Sequence, residues 1–194
     1  MKNGNDWPQS TKPYRSNPPE GAVGLVIPMR DNLKFFKLTY HSILDFTDYR
    51  FMLTIVDNMS SFTTRQYLDS IRRNHNVNIL QYQKDHSLTA EVDLAVRFMF
   101  SFSQVAYGCV VMPSVIVEPN WLSRLVNDLN ASLSEKAVVP SNAGAGAILF
   151  RREAYESAGG VMNLCPVQSP VVVHRLVRSP IIEGFPVPAE GVPA

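Results

Sequence analysis

The sequence predicts an α/β protein, a single domain on a mainly parallel sheet with helices on both faces. Three observations predict it. Short, nearly unbroken apolar runs recur along the chain, as strands buried on both faces do. Amphipathic stretches at helical spacing lie between them. The two patterns alternate through most of the 194 residues, and such alternation calls for parallel strands joined by crossover helices.

The elements follow in order. "AVGLVIPM", residues 22–29, is a first strand. "DNLKFFKLTYHSILDF" places Leu33, Phe36, Leu38, Ile43 and Leu44 at helical spacing, with Asp31 or Asn32 as N-cap. "RFMLTIVDN" is a second strand. "SSFTTRQYLDSIRRN" is a second helix, opened by a Ser or Thr cap and closed by arginines that complement the helix dipole. "VNILQY" and "SLTAEVDLAVRFMFSF" give the third strand and helix. "AYGCVVM" is a fourth strand, and "EPNWLSRLVNDLNASL" a helix with proline in its first turn. The pattern then loosens. "GAILFRR" suits a strand, "REAYESAGG" a short helix closed by glycine, and "SPVVVHRLV" fits either.

Composition narrows the function classes. The formal net charge is +1, so no strong field draws the chain to nucleic acid or to an anionic membrane. The length suits one good core. Cys109 and Cys165 lie far apart in apolar contexts, the pattern of two buried thiols in a reducing compartment rather than of a disulfide framework or zinc site. No run approaches the ~18 apolar residues of a membrane span. The polar, proline-rich N-terminus does not read as a signal peptide. The expectation is a soluble protein, cytoplasmic or part of a soluble assembly, not secreted by a signal peptide. Residues 1–21 are expected to form an extended arm, 22–178 the folded domain and 179–194 a Pro-rich tail. The two arms are the expected contacts to protein partners or to further copies of the chain.

Four blocks carry a resemblance: "GLVIPMRDNLKFFKLTYHSIL", "LTIVDNMSS", "EPNWLSRL" and "GAILFRREAYESAGG". In order and spacing, from about residue 23 to about 176, they resemble the successive blocks of family 2 glycosyltransferases with a GT-A fold. The resemblance implies a Rossmann-like sheet with a nucleotide-sugar site at the carboxyl ends of its strands. Asp57 stands where the family's aspartate hydrogen-bonds the base, with Asn58 and Ser60 following, and Pro28, Met29 and Arg30 end the strand beside it. A carboxylate there can accept from the imide N–H of uracil or the amine of another base. Equally, Asp57 and Asn58 can turn the chain and cap the next helix through an Asx-type bond. Asp93 falls where the family often has an asparagine or aspartate near the nucleotide; a solvated helix face is the other reading.

Two departures stand out against that resemblance. The family's fourth strand ends in a carboxylate pair, the DxD-type motif, which holds a divalent metal bridging the donor phosphates. The residues in register here are Met112, Pro113 and Ser114, and none supplies an anionic oxygen. A shifted register does not restore the pair, because no Asp or Glu occurs between Asp93 and Glu118. Glu118 itself reads as a helix N-terminal acid. Inverting members also carry a later carboxylate that deprotonates the acceptor. The matching segment, "NLCPVQSPVVVHRLV", has neither Asp nor Glu. His174 is its titratable candidate for the base, with a packed or surface histidine as the other reading. Arg175 either faces the diphosphate or lies on the surface. Few residues follow this segment for the elements that complete an acceptor site in the family.

Two functional readings result. In the first, the chain is glycosyltransferase-like but has lost metal-dependent sugar transfer, needs no cofactor, and serves as a binding or assembly module. In the second it is an active transferase with a metal-independent or variant mechanism, and only there is a divalent metal, Mn or Mg, a candidate cofactor. A nucleotide-sugar or glycan is the ligand class in either.

Overall fold

Eight successive buried residues make β1 (Ala22–Met29) the centre of a sheet. The structure, a computed structural model, describes residues 14–74, 76–83, 87–131, 137–138, 146–164 and 177–178. After β1 come α1 (Leu33–Phe46), β2 (Phe51–Asn58), α2 (Phe62–Asn74), β3 (Asn78–Tyr82), α3 (Leu88–Phe100) and β4 (Val105–Val111). They are followed by β5 (Ile116–Val117), α4 (Trp121–Ala131), β6 (Ala137–Val138), β7 (Ala147–Arg151), α5 (Arg152–Ala158), a 3-10 turn (Val161–Leu164) and β8 (Val177–Arg178).

The main sheet runs β3-β2-β1-β4-β7-β6, and β5 pairs with β8 apart from it. The first four strands in that order are parallel, with Leu25 of β1 opposite Leu53 on one side and Cys109 on the other. β7 is antiparallel to both β4 and β6. The sheet is therefore mainly parallel, as expected.

Side-chain alternation sorts the helices into two layers. Leu25 and Ile27 face a core with Phe36 of α1, Leu68 of α2 and Trp121 of α4. Val26 and Val56 face the opposite core, with Val92 and Val96 of α3 and Tyr155 of α5. From β1 to β3 the chain steps outward in one direction. α3 then carries it back from the edge strand to β4. A right-handed crossover of reversed direction must lie on the other face of the sheet. The reversal between β1 and β4 leaves a crevice at their carboxyl ends.

Several helix ends differ from the sequence reading. Asn32 precedes α1, but in the left-handed region and with no side-chain cap bond. The start of α2 is served by a neighbouring loop, since Asp31 Oδ1 accepts from the Ser61 N–H at 2.7 Å and from Thr64 Oγ1 at 3.1 Å. α4 begins at Trp121; Asn120, with φ 62°, breaks helical continuity and leaves Pro119 in the turn before it. Ser87 caps α3 by accepting from the Ala90 N–H, and Gly159, φ 74°, closes α5 as expected.

Toward the N-terminus, the Tyr14 N–H donates to the Phe51 carbonyl at 2.9 Å, and Asn78 Nδ2 donates to the Arg15 carbonyl at 3.3 Å. These bonds hold residues 14 and 15 against the amino ends of β2 and β3. Residues 1–13 and 179–194, with Cys165, His174 and Arg175, lie outside the described residues; Cys109 is a buried free thiol. Among the described residues no helix is long and apolar enough to cross a membrane.

Candidate functional site

Pro28 has no N–H to give to a ladder. The pairing of β1 with β4 ends at Val26 opposite Val110, two positions short of it. Beyond that point the strands part, and a cleft of about 330 Å3 opens at the carboxyl ends of β1, β2 and β4. Its lining is Pro28, Met29, Arg30, Asn58, Leu88, Glu91, Met112 and Pro113. Five of these eight side chains are apolar. Arg30 is exposed at the rim, while Asn58 and Glu91 are 7 % and 1 % exposed.

The loops that follow β1 and β2 are tied to each other beside this cleft. Asp57 Oδ1 accepts from the Ser60 N–H at 3.1 Å, and Ser60 Oγ accepts from the Asp31 N–H at 2.7 Å. With the bonds from Asp31 to Ser61 and Thr64, the two loops form one unit. That unit holds Asp31, Asn32 and Met59 at φ of 54°, 55° and 56°, left-handed conformations that a Cβ disfavours. Strain of this kind persists only where surrounding bonds over-determine it. The Asp31 carboxyl is held below its usual pKa, chiefly by the Ser61 backbone N–H and next by the Ser61 hydroxyl.

The residues expected at a nucleotide site divide into two groups. Pro28, Arg30 and Asn58 come together in the cleft wall, beside Met112 and Pro113. Asp57 and Asp93 do not line it. Asp57 is fully buried and makes the Asx-type turn bond, with Arg65 Nε 3.8 Å from its other oxygen. Asp93 Oδ1 accepts from the Val161 N–H at 2.9 Å, and its carbonyl accepts from Tyr155 Oη at 3.3 Å. Asp93 thus fastens the 3-10 turn to α3. Ser114 is exposed just past the lining.

Leu88 and Glu91 are the lining residues that the sequence reading did not name, and Glu91 is the polar one. A signal for it was present. Glu91, Val92, Ala95, Val96 and Met99 are the buried residues of α3 and form one stripe at helical spacing. A carboxylate within an apolar stripe points inward with it. Asp93, two residues on, lies about 200° further round the helix, against the 3-10 turn. Glu91 also stands in the first turn of α3. Burial pushes the Tyr82 phenol up, and the negative charge of Glu91 pushes it further.

This donor set does not suit a divalent cation. Hard cations take several oxygen ligands, with carboxylates foremost. The end of β4 offers the cleft a thioether and a proline ring, and among the described residues Glu91 is the one carboxylate in the lining. Among the described residues, no three His, Cys, Asp or Glu side chains form a group that could hold a metal ion.

By sequence, the chain matches no family model and no curated protein. By structure, it is similar to the mannosyltransferase PcManGT from Pyrobaculum calidifontis, solved in complex with GDP-Man and Mn2+. The TM-score is 0.64 at 14 % identity, over 80 % of this chain and 51 % of that one. It is similar also to S. aureus TarS 1-349, at a TM-score of 0.55 and 11 % identity over 70 % of this chain and 48 % of that one. The same protein in complex with UDP-GlcNAc gives 0.52 at 14 % identity, over 64 % of this chain and 36 % of that one. The chain thus spans about half the length, or less, of these structures. With its 3-2-1-4 parallel core, its antiparallel β7 and helices on both faces, the chain has a GT-A-like glycosyltransferase fold.

Proposed function

We propose that this chain is a glycosyltransferase-like binding module that keeps the cleft of the fold without metal-dependent sugar transfer. One observation supports the reading above others: Met112 and Pro113 form the cleft wall at the end of β4. Departure of a nucleoside diphosphate requires that its developing charge be neutralised. A thioether and a pyrrolidine ring contribute nothing to that. What the cleft does offer is apolar surface for a flat ring and a few convergent polar groups, which is the usual composition of a small-molecule site.

The ligands of PcManGT and TarS, GDP-Man and UDP-GlcNAc, suggest a nucleotide-type ligand here. The proposed setting is solution, in the cytoplasm or a soluble assembly, with residues 1–21 and 179–194 reaching protein partners or further copies of the chain. A second reading, transfer by a metal-independent mechanism, draws on Arg30, whose guanidinium at the rim can face a diphosphate in place of a cation.

Calorimetric titration with UDP-GlcNAc and GDP-Man, with and without MnCl2, tests the proposal. Any binding is expected to be indifferent to manganese, and neither donor is expected to be hydrolysed or transferred. Manganese-dependent binding followed by release of UDP or GDP would overturn it. Release without manganese would favour the second reading.

A further inference from the structure

We propose that the β1–α1 and β2–α2 loops form a latch that opens and closes as one unit, short of global unfolding, and that its opening reshapes one side of the cleft. Asp31 is the hub of the latch. Its N–H donates to Ser60 Oγ at 2.7 Å, and its Oδ1 accepts from the Ser61 N–H at 2.7 Å and from Thr64 Oγ1 at 3.1 Å. Asp57 Oδ1 accepts from the Ser60 N–H at 3.1 Å, and Ser61 Oγ donates to Thr64 Oγ1 at 3.3 Å. Every one of these bonds uses a side chain. None belongs to a sheet ladder or to the backbone repeat of a helix.

Two features make the opening concerted and local. The first is strain. Asp31, Asn32 and Met59 hold left-handed backbone at φ of 54°, 55° and 56°, which lasts only while the surrounding bonds enforce it. Loss of one bond lets these residues relax, and their relaxation draws the remaining donors and acceptors apart. The second feature is where regular structure stops. The ladder of β1 with β2 ends at Met29 opposite Asp57, and β1 leaves β4 earlier, at Val26 opposite Val110. On the far side of the loops, Phe36 anchors α1 and Leu68 anchors α2 in the core. The unit that can open is thus bounded at both ends, as local openings are.

The unit borders the cleft. One loop carries Arg30 and the other begins at Asn58, and both residues line the cavity. Across the cleft, the Met112 N–H donates to the Gly146 carbonyl at 2.8 Å, which keeps that wall with β4 and β7. One wall therefore has two states while the other stays fixed. The latch is a property of the free chain, so its failure leaves the binding-module reading standing.

Native-state hydrogen exchange on the full chain tests it, because the amides of Asp31, Ser60 and Ser61 all donate within the latch. They are expected to share one opening constant within about threefold, and to open at least about tenfold more readily than the amides of Leu25 and Leu53 in the strands. Ser60→Ala removes the acceptor of the Asp31 N–H and leaves the Ser61 bond untouched. A concerted latch then speeds exchange at Ser61 by the same factor as at Asp31, about fivefold or more. A second measurement needs no variant. Relaxation dispersion of the methionine methyl groups is expected to give one rate for Met29 and Met59, with Met52 and Met99 in the core silent. An effect of Ser60→Ala confined to Asp31 would overturn the inference in favour of separate bonds. Exchange of all three amides only at the rate of the strands would overturn it in favour of a rigid joint. If Ser60→Ala does not fold, different rates at Met29 and Met59, or dispersion at neither, would overturn it.

Discussion

Met59 has the backbone of a glycine and the side chain of a core residue that is not in the core. Its φ is 56°, and it is 39 % exposed. The bonds from Ser60 to Asp57 and Asp31 fix the loop just after it, so the strain cannot relax by a shift of the chain. A Cβ in this conformation costs of the order of 1 kcal/mol. Glycine removes that cost, though it gives the unfolded chain more freedom. Met59→Gly is therefore expected to stabilise the protein by up to about 1 kcal/mol, read as a higher urea midpoint at unchanged slope. At this scale the sequence was a partial guide to the site. Pro28, Arg30, Asn58, Met112 and Pro113 were legible because strand ends converge in any parallel sheet. Glu91 and Asp93 could be told apart only by their angle round α3, which a resemblance between blocks does not carry.

Between elements, the joint that matters most for the cleft is the one between the β1–α1 and β2–α2 loops. Asp31 makes it: its N–H donates to Ser60 Oγ, and its carboxylate receives the Ser61 N–H and the Thr64 hydroxyl. Those bonds favour the charged carboxylate and lower its pKa in the folded state. A depressed folded pKa gives stability that is complete above the unfolded value, about 3.9 for aspartate. That stability is lost as pH falls from there through the folded value. Asp31→Asn keeps an acceptor but not the charge, so it is expected to be less stable than the parent at neutral pH. Denaturant titrations across the acid range are expected to show this difference steady above about pH 5 and shrinking below the aspartate value. A difference that stayed constant to the lowest pH would assign the role to packing instead. The strands and long helices were legible because periodicity is local: β1 is residue for residue the run "AVGLVIPM". The two-residue strands β5 and β8, and the service of α2 by a carboxylate from another loop, depend on partners distant in sequence and have no local pattern.

At the scale of the molecule, the cleft joins parts that belong to different layers. Its lining comes from the ends of β1 and β2, the turn after β4, and the first turn of α3, which packs on the face opposite α1, α2 and α4. A ligand seated there bridges the sheet and one helical layer, and unfolding must release it. Binding to the native state alone raises stability by mass action, by about 2.7 kcal/mol at a hundred times the dissociation constant. For a chain of this length that corresponds to a rise in Tm of about 5–10 °C. The unfolding temperature thus reports on the whole reading without an activity assay. With a saturating concentration of UDP-GlcNAc or GDP-Man, whichever binds, Tm is expected to rise by that amount. With MnCl2 alone it is expected to stay where it is, since the described residues bring a single carboxylate to the lining. A rise with manganese alone would mean that the native chain holds a cation after all, and the apolar wall formed by Met112 and Pro113 would no longer argue against transfer.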